Sequence, residues 1–215
     1  MMKEAGKGNF SLGERCLVVK EIDRQISDLE LWKAFKAGNN AAFIKIYEAH
    51  FDSLYSYGSR ITSHEDLVKD AIHDIFFDLR KNSKTIGDTS NIKFFLFKCL
   101  KRKIIKELND WNGKKEDINE HTPFEIAFSH EQVLISSQMD QEQSMNIKKA
   151  LNELSPRKRE AIYYLYFEEM TYEQIGELMN LSNAKSARDL VYKGLKSMRD
   201  SLGFFPLIFI LEGSF

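Results

Sequence analysis

Proline and cysteine are almost missing from this chain of 215 residues, which has 3 of the first and 2 of the second; glycine is scarce too, at 11. With so few turn formers and abundant Leu, Lys, Glu and Ile, the composition favours an all-α fold. Cys16 and Cys99 stand far apart and match no metal or redox spacing, so they read as ordinary reduced thiols of a cytosolic protein. Long apolar runs are also lacking. The only continuous one, residues 204–211, is broken by Pro206 and falls short of the roughly 20 residues of a spanning helix. The N-terminus lacks the uninterrupted apolar core of a signal peptide. These absences predict a cytoplasmic protein with no membrane insertion.

A surplus of either charge is missing as well, with 31 Lys and Arg against 32 Asp and Glu. The sum hides a pattern. Lys93, Lys98, Lys101, Arg102, Lys103, Lys106, Lys114 and Lys115 cluster against only Glu107 and Asp110, and the next stretch reverses sign with Glu116, Asp117, Glu120, Glu125 and Glu131. Catalytic signatures are absent too. No phosphate-binding glycine loop, dinucleotide fingerprint, zinc spacing or Ser-His-Asp order occurs, and His50, His64, His73, His121 and His130 are scattered. Neither an enzyme, a cofactor nor a metal site is expected.

What is present is helical periodicity. Leu29, Trp32 and Phe35 recur at helical steps, then Ala42, Phe43, Ile46 and Tyr47, with Gly38 and Asn39 marking a turn between them. Ser63 reads as the N-cap of a third helix, with Glu65 and Asp66 in its first turn. Its buried stripe is Leu67, Ala71, Ile72, Ile75, Phe76 and Leu79, and Asp70, Asp74 and Asp78 form an acidic ridge opposite. A loop over 81–91 leads to a helix over 92–111. That helix has an apolar stripe (Phe94, Phe95, Phe97, Leu100, Ile104, Leu108) and a basic second face. The weakly patterned, acidic stretch 112–137 reads as an interdomain linker, after which helical patterning resumes.

The acidic ridge has only His73 nearby and faces away from the core, so a solvated or protein-binding face is expected there rather than a metal. The basic helix is amphipathic, with one face in a core, but its cations exceed what solubility requires and suit phosphates. In the second half, Thr171 reads as an N-cap with Glu173 and Gln174 placed for a capping box. Residues 180–182 give a tight turn with Leu181 as its buried plug, and Ser182 caps the last helix. This is the pattern of a helix-turn-helix, although a plain helical hairpin inside an all-α core has the same local pattern. In a helix-turn-helix, Asn183, Lys185, Ser186, Arg188, Asp189, Tyr192 and Lys193 face DNA at the start of the second helix. There Asn and Arg suit base edges while Lys and Ser suit phosphates.

Five stretches together resemble a bacterial sigma-70 family factor of the compact extracytoplasmic-function group, in a Bacteroidetes-like spelling. They are DLELWKAFKAG (28–38), DAIHDIFFDL (70–79), FLFKCLKRKI (95–104), LNELSPRKRE (151–160) and MTYEQIGELM (170–179). The resemblance implies an N-terminal arm (1–27), a region 2 helical domain (28–111), a flexible linker (112–137), a region 4 helix-turn-helix domain (138–203) and an apolar tail (204–215). It implies that Asp70, His73, Asp74, Phe76 and Asp78 bind the clamp helices of the largest subunit of core RNA polymerase. Lys93, Lys98, Lys101, Arg102 and Lys106 would contact the minus-ten DNA, where a flipped base enters a loop pocket. Residues Asn183 to Lys193 would read the minus-thirty-five element, with region 4 resting on the flap of the second-largest subunit. The acidic linker would thread towards the polymerase active site, with Glu116, Asp117 and Glu120 mimicking nucleic acid. Gly176 stands where the family commonly has Ala. An anti-sigma factor or another recruiting protein is a further partner open to such a chain. A stand-alone helix-turn-helix regulator, or an adaptor linking polymerase to another DNA-targeting protein, is the alternative.

Overall fold

The computed structural model describes residues 27–112, 124–126 and 141–202, which hold eight α-helices and no strand. The N-terminal arm, most of the linker with Glu116, Asp117 and Glu120, and the apolar tail lie outside the described residues.

Helix α1 (Asp28–Lys36) begins at a capping box, in which Ser27 accepts from the Glu30 N–H and Glu30 accepts from the Ser27 N–H. That arrangement satisfies two of the donors every helix N-terminus leaves unpaired. Gly38, at φ +88°, makes the turn that side-chain-bearing residues resist. Asn39 then caps α2 (Asn40–Ile61) by accepting from Ala41 and Ala42. Helix α3 spans Glu65–Lys81. Its N-cap is His64, not the expected Ser63, and no side chain caps it. Thr62 instead accepts from the His64 N–H and fixes the entry to the helix. Helix α4 spans Ile92–Asn112.

These four helices pack around Trp32, Ile46, Leu54, Ile72, Leu96 and Leu100, all nearly inaccessible to water. The Trp32 indole still finds a partner, donating to the Gly87 carbonyl at 3.0 Å. Gly58 lets α2, α3 and α4 approach closely, because a Cβ there would sit 2.5 Å from Val68 Cγ1 and 3.2 Å from Ile104 Cδ1.

A second module follows: α5 (Gln141–Glu153), α6 (Pro156–Tyr166), α7 (Tyr172–Leu178) and α8 (Ala184–Leu202). Pro156 at the start of α6 has no N–H to leave unpaired there. Arg159 points its guanidinium back at the end of α5, donating to the carbonyls of Leu151 (2.9 Å), Asn152 (2.7 Å) and Leu154 (2.9 Å). It thereby supplies donors that the end of a helix otherwise lacks. The core of this module is Leu151, Ile162, Ile175, Leu178, Ala187 and Val191.

Candidate nucleic-acid interface

The expected capping box at α7 is present: Thr171 accepts from the Gln174 N–H, and Gln174 accepts from the Thr171 N–H at 2.9 Å. The helix ends where Asn180 takes φ +49°, a left-handed conformation that Asn tolerates, and the Leu181 N–H returns to the Gly176 carbonyl at 2.8 Å. Leu181 packs against the core while remaining partly exposed. The chain then enters α8, whose inner face holds Ala187, Val191, Gly194 and Met198. Lys185, Arg188, Asp189, Tyr192 and Lys193 are exposed, and Ser186 is half-buried. Asn183 corrects one expectation: it replaces Ser182 as the cap of α8, since its Oδ1 accepts from the Ser186 N–H at 2.9 Å.

On α3, Asp70, His73, Asp74 and Asp78 are exposed as the amphipathic pattern requires. Phe76, expected among the polymerase contacts, is buried at 3 % exposure against Phe43 and Tyr47. The neighbouring Phe77 is the aromatic that faces outward, at 67 %. The Asp74 carboxylate pairs with Lys103 across α3 and α4 at 2.7 Å, and that bond raises the Lys103 pKa above its ordinary value. Among the described residues no three His, Cys, Asp or Glu side chains are grouped to hold a metal, and no helix is long and apolar enough to cross a membrane.

Beside the ridge lies a cavity of about 350 Å³ between α3, the loop after it and α4. Ile75, Leu79, Ile86, Phe95 and Cys99 give it an apolar lining, and Arg102, Lys103 and Lys106 add cations. Burial pushes the Cys99 thiol above its ordinary pKa, so it is a neutral wall of the cavity rather than a nucleophile.

The basic face of α4 is divided. Arg102 and Lys106 are exposed, whereas Lys93, Lys98 and Lys101 turn towards the second module. Lys101 corrects the expected solvated face most sharply. Its side chain is 6 % exposed, pairs with Glu160 at 2.8 Å and donates to the Leu178 carbonyl at 3.0 Å. Around it, Tyr164 donates to Glu160 at 2.8 Å, and the Tyr57 and Tyr164 hydroxyls lie 2.5 Å apart. Burial raises both tyrosine pKa values well above the ordinary range, with the Glu160 charge as the next cause. Phe124 fills the seam between Tyr57 and Tyr163, at ring distances of 6.2 and 5.4 Å.

Residues 144–196 match the family model of Sigma-70, region 4. The matched stretch covers α6 and α7 with most of α5 and α8. Among solved structures, the chain is similar to the sigma factor RpoE of Bartonella quintana, crystallised with the anti-sigma factor NepR. Identity is 20 %, the TM-score is 0.46, and the alignment covers 74 % of this chain and 96 % of that one. No curated protein matches the chain.

The region 4 match includes Arg159, Glu160 and Glu168 but begins after Tyr57 and Phe124, and sequence reasoning missed most of the seam on both sides. Tyr57, Phe124, Arg159, Glu160 and Glu168 were not singled out. The one signal that could have found Phe124 is the alternation of Phe124 and Ile126, both buried, inside an otherwise acidic stretch.

Proposed function

We propose that the protein is a sigma factor of the extracytoplasmic-function group, in a Bacteroidetes-like spelling: a dissociable, non-catalytic subunit that binds core RNA polymerase and directs it to promoters. The observation that carries the reading is the match of residues 144–196 to Sigma-70, region 4. The exposed row Lys185, Arg188, Asp189, Tyr192 and Lys193 on α8 supports it. In this reading α8 enters the major groove at the minus-thirty-five element, with Arg188 suited to guanine and Lys185, Ser186 and Lys193 to phosphates. Asn183 sets the start of the helix.

The first module supplies the other contacts. Asp70, His73, Asp74 and Asp78 with Phe77 form a polymerase-facing ridge, where an exposed aromatic among carboxylates is the kind of residue that anchors an interface. The cavity beside Phe95 suits an unstacked minus-ten base, with Arg102 and Lys106 placed for the backbone on either side. An anti-sigma factor is a further partner of this reading.

The test is to mix the full chain with core polymerase and measure complex formation and promoter-dependent transcripts. Phe77→Ala should leave the melting temperature unchanged, because the side chain buries little, and weaken the polymerase complex about tenfold or more. A wild-type chain that forms no complex yet binds duplex DNA would instead be a stand-alone regulator.

A further inference from the structure

Three of the five cations assigned to the minus-ten strand are already occupied. Lys93 pairs with Glu168 at 2.6 Å, Lys101 with Glu160 at 2.8 Å, and Lys98 with Glu177. All three carboxylates belong to the second module. Lys93 donates in addition to the Glu168 carbonyl at 3.3 Å, and Lys101 to the Leu178 carbonyl at 3.0 Å. With Lys101 6 % exposed, no phosphate can reach it while the modules touch.

The contact is pinned as well as charged. The Glu125 N–H donates to the Arg60 carbonyl of α2 at 2.9 Å, and Arg159 of α6 donates to the Phe124 carbonyl at 2.7 Å. One short segment is therefore bonded to both modules, with the Phe124 ring, 2 % exposed, sealed between them. The Arg60 guanidinium lies over the Tyr163 ring at 4.7 Å and adds a second link between α2 and α6.

We infer that this seam is an intramolecular latch: the free chain closes its second module over α4, with Phe124 as the pin, and thereby withholds Lys93, Lys98 and Lys101 from nucleic acid. The inference rests on the proposed sigma function. Geometry requires the latch to open for that function. Elements at minus ten and minus thirty-five lie about 25 base pairs apart, roughly 85 Å at 3.4 Å per pair. Two touching modules of this size span no more than about 60 Å, from the usual scaling of radius with length. The chemistry of the seam makes opening feasible. A buried ion pair gains little net free energy because desolvation offsets attraction, so closure held by such pairs is readily exchanged. Phosphates offer the lysines the same charge that the carboxylates do, and DNA therefore competes directly with Glu160, Glu168 and Glu177 for α4.

The experiment uses the full-length chain in three variants beside wild type: Phe124→Ala, which leaves the charge unchanged; Glu168→Gln/Glu177→Gln, which leaves the Lys101–Glu160 pair intact; and Glu48→Gln/Asp52→Asn, a charge-matched control at exposed positions outside the seam. Small-angle scattering reads compactness. Fluorescence anisotropy reads binding to a labelled 20-nucleotide single strand of mixed sequence, at fixed salt. Circular dichroism confirms that each variant keeps its helices, and the glutamine pair serves if Phe124→Ala does not fold. Both seam variants should expand and bind the strand about tenfold or more tightly, as three freed phosphate contacts require. The control should stay compact and change by about twofold at most, as an exposed pair of charges allows. A folded seam variant that stays compact, or one that expands without gaining affinity, overturns the latch. Adding core polymerase separates the two claims. If neither wild type nor Phe124→Ala binds it, the sigma reading falls, whereas polymerase binding by a chain that never closes sinks the latch alone.

Discussion

Replacing Lys101 by Met keeps most of the side-chain volume and removes the charge facing Glu160. The two side chains are 6 % and 10 % exposed, so the carboxylate left behind has little access to water. Breaking a buried pair from one side costs about 3–5 kcal/mol. The Tyr164 hydroxyl donates to Glu160 at 2.8 Å with or without the lysine, so the carboxylate keeps one partner and Lys101→Met should destabilise the closed chain by about 3 kcal/mol, the low end of that range. The double variant Lys101→Met/Glu160→Met leaves no stranded charge and should be less destabilised than Lys101→Met alone, and Glu160→Met measured beside them closes the cycle that gives the coupling across the pair. Separating the modules limits the single-variant cost, because an opened seam hydrates Glu160 again. Urea unfolding followed by far-ultraviolet circular dichroism and by tryptophan emission measures both effects, since the two tryptophans, Trp32 and Trp111, both lie on helices of the first module. In Lys101→Met the two probes should give separate midpoints. Coincident transitions with a loss under about 0.5 kcal/mol, or a double variant as weak as the single, would refute the buried pair.

Two glycines should respond in opposite directions. Gly58→Ala drives a Cβ to 2.5 Å from Val68 Cγ1, which is stiff and fully buried. Overpacking of about 2–3 kcal/mol outweighs about 1 kcal/mol of helix propensity, so thermal melting should show a net loss of about 1–2 kcal/mol. Gly176→Ala meets nothing nearer than the Asn183 carbonyl oxygen at 3.5 Å, an ordinary contact, and should stabilise by about 0.5–1 kcal/mol. An equal sign for the two would undo the packing argument. Burial holds the His50 imidazole below its ordinary pKa. As pH falls below about 6.5 the unfolded chain takes up that proton first, so His50 destabilises the fold progressively until pH passes its lower folded value. Denaturant midpoints at pH 7 and pH 5 should fall further for wild type than for His50→Gln.

Helix placement was legible because each helix spells its own period, and at Thr171 its own cap, although α3 begins at His64 with no side-chain cap. Adjacent residues on a helix differ by about 100° in direction, so the period that puts Phe76 on the buried stripe leaves Phe77 outside, and only the resemblance made Phe76 a polymerase contact. Lys101 sits one residue beyond the apolar Leu100, and its own letters do not say that another module covers it. Ser182 and Asn183 fit an N-cap equally well, and the geometry of α8 chooses Asn183. The cap at Asn183 is settled by Ser186 three residues on, whereas a contact distant in sequence decides Lys101. The same holds for Phe124, whose neighbours Tyr57 and Tyr163 come from opposite ends of the chain.

Arg159 has one mechanical consequence. Its guanidinium ties the end of α5, the body of α6 and the Phe124 carbonyl into a single joint. In the proposed latch, tension on residues 124–126 would bear on both modules at once, through Arg159 on one side and the Arg60 carbonyl on the other, so a pull on that one segment would load the whole seam without anything touching its face.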